Sequence, residues 1–108
     1  MKQWDIFGFQ PTGWPGPHPA VIVSHPLRVA NKPEVDVVMC SSRQAGRPAE
    51  GHEVLLDKED GLDWPTLCKC DLLYTVAKSA LKQRRGVVTQ PRRREIVRRI
   101  LAAHGWVE

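Results

Sequence analysis

The sequence predicts a mainly β protein, a small barrel followed by one C-terminal α-helix. Short runs of apolar and β-branched residues alternate with turns rich in proline and glycine, which is typical of small barrels. A helical spacing of apolar residues occurs only after residue 90. The chain has 108 residues, so we expect a single domain over residues 1–108.

The first four strands are expected over residues 4–9, 20–24, 34–41 and 53–56, with loops at 25–33 and 42–52. Residues 10–19 read QPTGWPGPHP, and their four prolines predict a constrained loop. Trp14 lies in the middle of this loop. Two interpretations of it stay open, a lid folded over the barrel or an exposed ring on which a base or a partner stacks.

A fifth strand is expected to follow Pro65 in the stretch GLDWPTLCKCDLLYTV, residues 61–76. Alternation of side chains along a strand predicts a mostly apolar core face. Its members are Thr66, Cys68, Cys70, Leu72, Tyr74 and Val76. The opposite, charged face holds Lys69 and Asp71, about 6–7 Å apart along the strand, together with Leu67, Leu73 and Thr75. A charged pair there indicates either a solvated ion pair or a chemical site.

The polar residues 77–85 are expected to form one or two helical turns, and residues 86–88 a last brief strand. A helix then begins near Pro91 and ends at Gly105. Its predicted apolar face is Ile96, Val97, Ile100, Leu101 and Ala103. Its remaining surface is rich in arginine, which is typical of a solvated face but also suits RNA backbone or an acidic protein.

The net charge of +4 favours a polyanionic partner without naming one. No apolar segment follows Met1, so we expect no signal peptide, and no apolar run is long enough to span a membrane. The three cysteines are an odd number and indicate no disulfide framework. These features together predict a protein of the reducing cytoplasm.

Three segments resemble the PemK/MazF/Kid family of toxin endoribonucleases from toxin–antitoxin modules. They are GPHPAVIVS (16–24), VDVVMCSSRQAGRP (35–48) and GLDWPTLCKCDLLYTV (61–76). The resemblance implies an SH3-like barrel, usually a homodimer, which cuts single-stranded RNA without a metal or other cofactor and is held by an acidic antitoxin. The loop before Pro19 departs from the family pattern, because it is rebuilt as W-P-G-P.

The resemblance also implies the catalytic residues, of which there are four. Asp71 is expected to take the proton from the 2′-OH, and Lys69 to supply positive charge or the acid. The imidazole of His18 suits either proton role, and Ser41 is expected to bind a phosphate oxygen. Both His18 and Lys69 stand where an arginine is usual in the family.

RNA contacts are expected from Trp14, Ser42, Arg43 and Arg47, which lie beside these residues in sequence. Cys68 and Cys70 with His18, His25 or His52 could ligate zinc. We expect no metal, because both cysteines fall on the apolar face, are only one residue apart, and free cysteine is a common core residue.

Two other functions stay open from the sequence. One is a binding module that inhibits a protein target, because the tail HGWVE with Trp106 resembles the ending of toxins that poison DNA gyrase. The other is a catalytically silent family member. The Lys69 and Asp71 pair favours the nuclease, since a protein that binds through its helix has no need of it.

Overall fold

A computed structural model describes residues 1–42 and 47–106. Six strands form one curled antiparallel sheet, and a C-terminal helix packs against it. The strands are β1 (Asp5–Phe9), β2 (His18–Ile22), β3 (Glu34–Ser42), β4 (Glu53–Leu56), β5 (Thr66–Ala77) and β6 (Lys82–Val87). The helices are α1 (Pro26–Asn31) and α2 (Gln90–Ala103). The predicted fold class is therefore confirmed.

The strand order is β4-β5-β3-β2-β1-β6, so β3 and β5 lie inside the sheet and β4 and β6 at its two edges. The longest ladder joins β3 to β5, where Val37 faces Tyr74 and Ser41 faces Leu67. Among the described residues, no helix is both long and apolar enough to cross a bilayer.

Alternating side chains divide the buried residues into two clusters, one on each side of the sheet. The α2 cluster includes Ile6, Val21, Val38, Cys40, Val54, Cys68 and Ile96. The second cluster includes Ala20, Ile22, Val29, Val35, Val37, Met39 and Val76, with Phe7, Phe9, Trp14 and Tyr74 packed on it. Trp14 is thus half-buried against the sheet, which agrees with the lid interpretation.

The prediction of a loop over residues 25–33 was wrong, because α1 occupies Pro26–Asn31. His25 caps this helix, since its Nδ1 accepts a hydrogen bond of 3.0 Å from the backbone N–H of Leu27. Pro26 is suited to the first helical position, where no amide donor is needed. Val29 is buried and holds the helix against the second cluster.

The predicted alternation along β5 is only partly correct. Val38 pairs with Leu73 and Cys40 pairs with Cys68, so Met39 alone on β3 lies opposite residues 69–72 on β5. This bulge shifts the faces of the strand. Leu72, expected in the core, is therefore 48% exposed, whereas Leu67, expected on the charged face, is fully buried.

The last two elements also differ from the prediction at particular residues. β6 begins at Lys82, earlier than the expected 86, and is a polar edge strand. In α2, Ile96 is buried as expected, but Val97 is exposed. Gly105 has a φ of 69° and follows the helix, as its predicted role as a C-terminal stop requires.

Candidate active site

His18 and Ser41 lie on the face of the sheet that carries the second cluster. Ala20 belongs to this cluster, and His18 is two residues before it on β2. Met39 pairs with Ala20, and Ser41 is two residues after Met39 on β3. Since the strands are antiparallel, His18 and Ser41 lie at the same end of the strand pair and on the same face. The structure therefore brings these two predicted residues together.

Trp14 covers this end of the sheet. Its ring meets the imidazole of His18 edge to face, with 4.7 Å between the ring centroids and 88° between the planes. The loop is held in place by a hydrogen bond of 3.0 Å from Gln10 Nε2 to the Trp14 carbonyl oxygen and one of 3.1 Å from the Trp14 amide to Pro11. The proline-rich loop thus places an aromatic ring directly beside the candidate histidine.

Lys69 is bound to Glu53, a residue that the sequence analysis did not select. The two face each other across β4 and β5, and the Lys69 Nζ donates a hydrogen bond to Glu53 Oε2. The carboxylate of Glu53 is almost fully buried, with 1% of the side chain exposed. It also accepts two hydrogen bonds of 2.9 Å from Arg47 and one of 2.9 Å from the Glu50 amide.

These donors determine the charge state of the cluster. The hydrogen bonds from Arg47, followed by those from Lys69 and the Glu50 amide, hold the pKa of Glu53 far below its ordinary value of 4.5, although burial opposes this shift. The same contact with Glu53 raises the pKa of Arg47. Glu53 therefore stays ionised and holds two cations at one end of the sheet.

Asp71 lies apart from this cluster, within the bulge of β5. Its side chain is 44% exposed, and its Oδ1 is 3.9 Å from His52 Nε2. Among the described residues, the basic side chain beside Asp71 is therefore that of His52, whereas Lys69 is ion-paired with Glu53. Of the two interpretations left open by the sequence, a solvated ion pair between Lys69 and Asp71 is not found among the described residues, and the bulge interrupts the alternation that predicted it.

The predicted RNA contacts are only partly described. Arg47 has its guanidinium against Glu53 and is 3.6 Å from Glu50 Oε1. Arg43 and the side chain of Ser42 lie outside the described residues, although the backbone of Ser42 pairs with Thr66.

The possible metal ligands include one histidine considered from the sequence, His52, but neither of the cysteines. Cys40, Cys68 and Cys70 are free, buried thiols. Hydrogen bonds with Cys40 and Cys70, and burial in addition, raise the pKa of the Cys68 thiol. Within residues 1–42 and 47–106, the group whose donor atoms lie close enough for one ion is Glu50, His52 and Glu53. The Glu53 carboxylate is already shared by Arg47 and Lys69, so this group is better described as an ion-pair network.

One arginine of the C-terminal helix has a structural role. Arg92 donates to Asp57 at 2.7 Å and to the fully buried Asp60, which joins α2 to the turn before β5. At the other end of the helix, Trp106 is exposed and its ring stacks on His104 with 4.7 Å between centroids.

Residues 3–104 match the family model described as PemK-like, MazF-like toxin of type II toxin–antitoxin system. The chain belongs to this family. The match spans every strand and both helices, including His18, Ser41, Lys69 and Asp71. A search of curated protein sequences found no match.

Several solved structures share the fold. An endoribonuclease in complex with its cognate antitoxin from a mycobacterial species aligns with a TM-score of 0.84 at 21% identity, over 100% of this chain and 98% of the other. The Mycobacterium tuberculosis toxin MazF-mt6 gives 0.78 at 20% identity, over 94% and 96%. A MazE–MazF structure from Deinococcus radiodurans gives 0.74 at 16% identity, over 97% and 95%.

Proposed function

We propose that this protein is the endoribonuclease toxin of a toxin–antitoxin system and cleaves single-stranded RNA without a metal. In this reaction the 2′-oxygen attacks the adjacent phosphorus and the bond to the 5′-oxygen breaks, which leaves a 2′,3′-cyclic phosphate. The family match over residues 3–104 carries the proposal. The fold shared with endoribonucleases of the mycobacteria is consistent with it.

The exposed carboxylate of Asp71 is the proposed general base, which takes the proton of the attacking 2′-OH. A general base must be accessible to the substrate, and the side chain of Asp71 is 44% exposed. His52, with its Nε2 3.9 Å from the Asp71 carboxylate, is placed to orient it or to receive its proton.

Lys69 is proposed to stabilise the negative charge that develops on the phosphorane. The side chain of lysine is flexible, but the hydrogen bond to the buried carboxylate of Glu53 fixes the position of the Lys69 ammonium group. Glu53 thus acts as a positioning residue. Ser41, at the same end of the sheet, is proposed to donate a hydrogen bond to a phosphate oxygen.

His18 is proposed to protonate the leaving 5′-oxygen. A protonated imidazole carries two N–H donors, either of which can supply this proton. The edge-to-face contact with Trp14 fixes the ring and leaves the tryptophan at the site entrance, where it can contact an RNA base.

The proposed partners of the toxin are an acidic antitoxin and a second copy of this chain, within the cytoplasm. Two solved relatives are complexes of a toxin with its antitoxin, which supports the first. The net charge of +4 fits an acidic partner as well as RNA.

The test is cleavage of labelled single-stranded RNA in EDTA by the purified protein, freed from any antitoxin. We expect cleavage products that end in a 2′,3′-cyclic phosphate, and a loss of rate of about 100-fold or more in Asp71→Asn. Glu59→Gln removes an exposed carboxylate remote from the site and serves as the matched control. Intact RNA with the wild-type protein would refute the nuclease, and equal cleavage by Asp71→Asn would refute the assigned base.

A further inference from the structure

An apolar groove runs between α2 and the residues that flank β1 and β2. Two adjoining cavities of about 230 and 600 Å³ form it, and Trp4 and Val97 line both. Ile100 and Leu101 follow Val97 by three and four residues, so the three side chains share one face of the helix. The groove follows α2 from Arg93 to Leu101, about 12 Å along the helix axis. Its other apolar lining residues are Val23 and Leu73.

Trp4 is fixed in place where the two cavities meet. Its φ of 75° lies in the left-handed region, which is uncommon for a bulky residue. Two backbone hydrogen bonds hold it there, one of 2.7 Å from the Trp4 amide to the Ile22 carbonyl oxygen and one of 3.0 Å from the Val88 amide to the Trp4 carbonyl oxygen. The indole ring packs on the α2 cluster. This wall of the groove is therefore formed without any partner.

The shape and apolar lining of the groove suit a helix of another protein. Val97 is 42% exposed and adjoins five other apolar side chains in one concave surface. A single exposed valine is ordinary, but a contiguous apolar surface of this kind is typical of a protein-binding site. Its length of about two helical turns matches the apolar stripe of an amphipathic helix, whose anchors recur every three or four residues.

The rim of the groove is basic. Arg94 and Arg98 line its larger cavity and lie four residues apart on the exposed surface of α2. Among the described residues, neither of them has a hydrogen-bond or ion-pair partner. Asp36, an acidic residue in the lining, is at the other end and accepts a hydrogen bond of 2.6 Å from the Thr75 hydroxyl. The unpaired charge on the rim is therefore positive, and an acidic partner complements it.

Charge and shape together favour an acidic protein segment over other occupants. A second copy of this chain would bring the same arginines to the contact from both sides, and like charges facing each other in an interface are unfavourable. RNA would match the arginines, but the lining is mostly aliphatic and offers the bases one half-buried ring, that of Trp4. An acidic amphipathic helix suits both parts of the surface, because its apolar side chains fill the groove and its carboxylates reach the rim.

The groove and the candidate cleavage residues lie on opposite faces of the sheet. Trp4, Val23 and Leu73 pack on the α2 cluster. His18 and Ser41 lie on the face of the second cluster, as their positions relative to Ala20 and Met39 require. A helix that occupies only the groove therefore leaves His18 and Ser41 accessible to RNA.

We propose that this groove docks an acidic, amphipathic helix of a partner protein and holds that partner on the face of the sheet opposite His18 and Ser41. This inference rests on the proposed function, in which an acidic antitoxin binds the toxin, and it assigns that contact a surface. It separates attachment of the partner from blockage of the site. A segment confined to the groove binds the toxin and leaves RNA cleavage unchanged, whereas blockage requires a further segment that passes round the edge of the sheet.

The experiment measures peptide binding in the absence of RNA, by fluorescence anisotropy. The probe is a fluorescein-labelled peptide of 18 residues with leucine at every third or fourth position and glutamate or alanine elsewhere; its scrambled sequence is the control peptide. Val97→Glu places a carboxylate in the apolar groove, so we expect the Kd to rise about 10-fold or more. Val87→Glu is the matched control, because Val87 is 37% exposed but lies on β6, outside the lining of the groove. It should change the Kd by less than about twofold.

Neutralising the rim tests the role of charge. Arg94→Gln and Arg98→Gln should each raise the Kd of the peptide about 1.5- to 5-fold at low salt, and the increase should shrink as salt is added. Lys32→Gln removes the same charge from an exposed residue at the end of α1 and should leave the Kd unchanged. Circular dichroism and light scattering of each variant check that the fold and the oligomeric state are retained.

Absence of peptide binding, or equal binding by the wild type and Val97→Glu, would overturn the proposal. So would a Val97→Glu variant that changes from dimer to monomer, because a second copy would then cover the groove. Loss of RNA binding in Arg98→Gln with unchanged peptide binding would assign the rim to RNA instead.

Cleavage distinguishes this proposal from the proposed function. Saturating peptide should leave RNA cleavage by the wild type unchanged, and inhibition would refute the separation of the two faces. If the wild type cuts RNA but does not bind the peptide, the groove fails while the nuclease stands. If it binds the peptide as described but does not cut RNA, the nuclease fails while the groove stands.

Discussion

Replacing Glu53 by glutamine tests the ion-pair network that holds Lys69. The side chain of Glu53 is 1% exposed, and its carboxylate accepts hydrogen bonds from Arg47, Lys69 and the Glu50 amide. Removal of one partner from a buried ion pair costs about 3–5 kcal/mol of folding free energy. Arg47 and Lys69 are each 28% exposed and regain some hydration, so we expect a loss of about 2–4 kcal/mol at pH 7.

The pH dependence of this loss gives a second readout. The pKa of Glu53 is lower in the folded protein than its ordinary value of 4.5, so its contribution is fully present above about pH 4.5 and is lost as the pH falls towards the lowered value. Glutamine does not titrate. The difference in unfolding free energy between the wild type and Glu53→Gln should therefore narrow as the pH falls from 5 to 3.

The assay is urea unfolding followed by circular dichroism at pH 7, 5, 4 and 3. Glu50→Gln is the matched control, because Glu50 is 65% exposed and 3.6 Å from Arg47, a surface pair worth about 0–1 kcal/mol. A loss below about 0.5 kcal/mol for Glu53→Gln, or a difference that does not change with pH, would show that the carboxylate is not held as described.

Two further predictions concern single residues. His18→Ala should slow RNA cleavage more than His25→Ala, because His25 is exposed and only caps α1. Loss of that cap costs about 0.5–1 kcal/mol of folding free energy. Equal cleavage rates for the two variants would remove His18 from the site. Arg92→Met should lower the free energy of unfolding, measured in urea, by about 2–4 kcal/mol, because it leaves the buried carboxylate of Asp60 with only backbone donors. The control is Arg94→Met, at an exposed position, which should change the free energy of unfolding by less than about 0.5 kcal/mol. A similar effect of the two substitutions would show that the contact with Asp60 contributes little.

Apolar periodicity predicted most of the sheet, because the strands that carry it are internal or half-buried. β3 and β4 were predicted almost to the residue. It failed at β6, where the edge position permits the charged sequence KQRRGV. The prediction also missed α1, because the residue that caps this helix is a histidine rather than one of the small polar residues that usually mark the start of a helix.

The ionic partner of Lys69 could not be predicted from sequence spacing. A period of two made Asp71 the neighbour of Lys69, but the β5 bulge interrupts that period. Glu53 is opposite Lys69 only because of the register between β4 and β5, which are joined by a long connection with a turn of 3-10 helix. A detectable signal was an acidic residue that begins the otherwise apolar strand EVLL.

The ion-pair network also bears on what a lysine, rather than an arginine, can do at position 69. A planar guanidinium at position 69 would engage the Glu53 carboxylate with two of its donors, as Arg47 already does. An ammonium has three donors, and Lys69 uses one for Glu53, so two can be directed to phosphate oxygens. With Arg47 supplying the paired bonds that keep the carboxylate ionised, Lys69 can act as a fixed positive charge without arginine's fork.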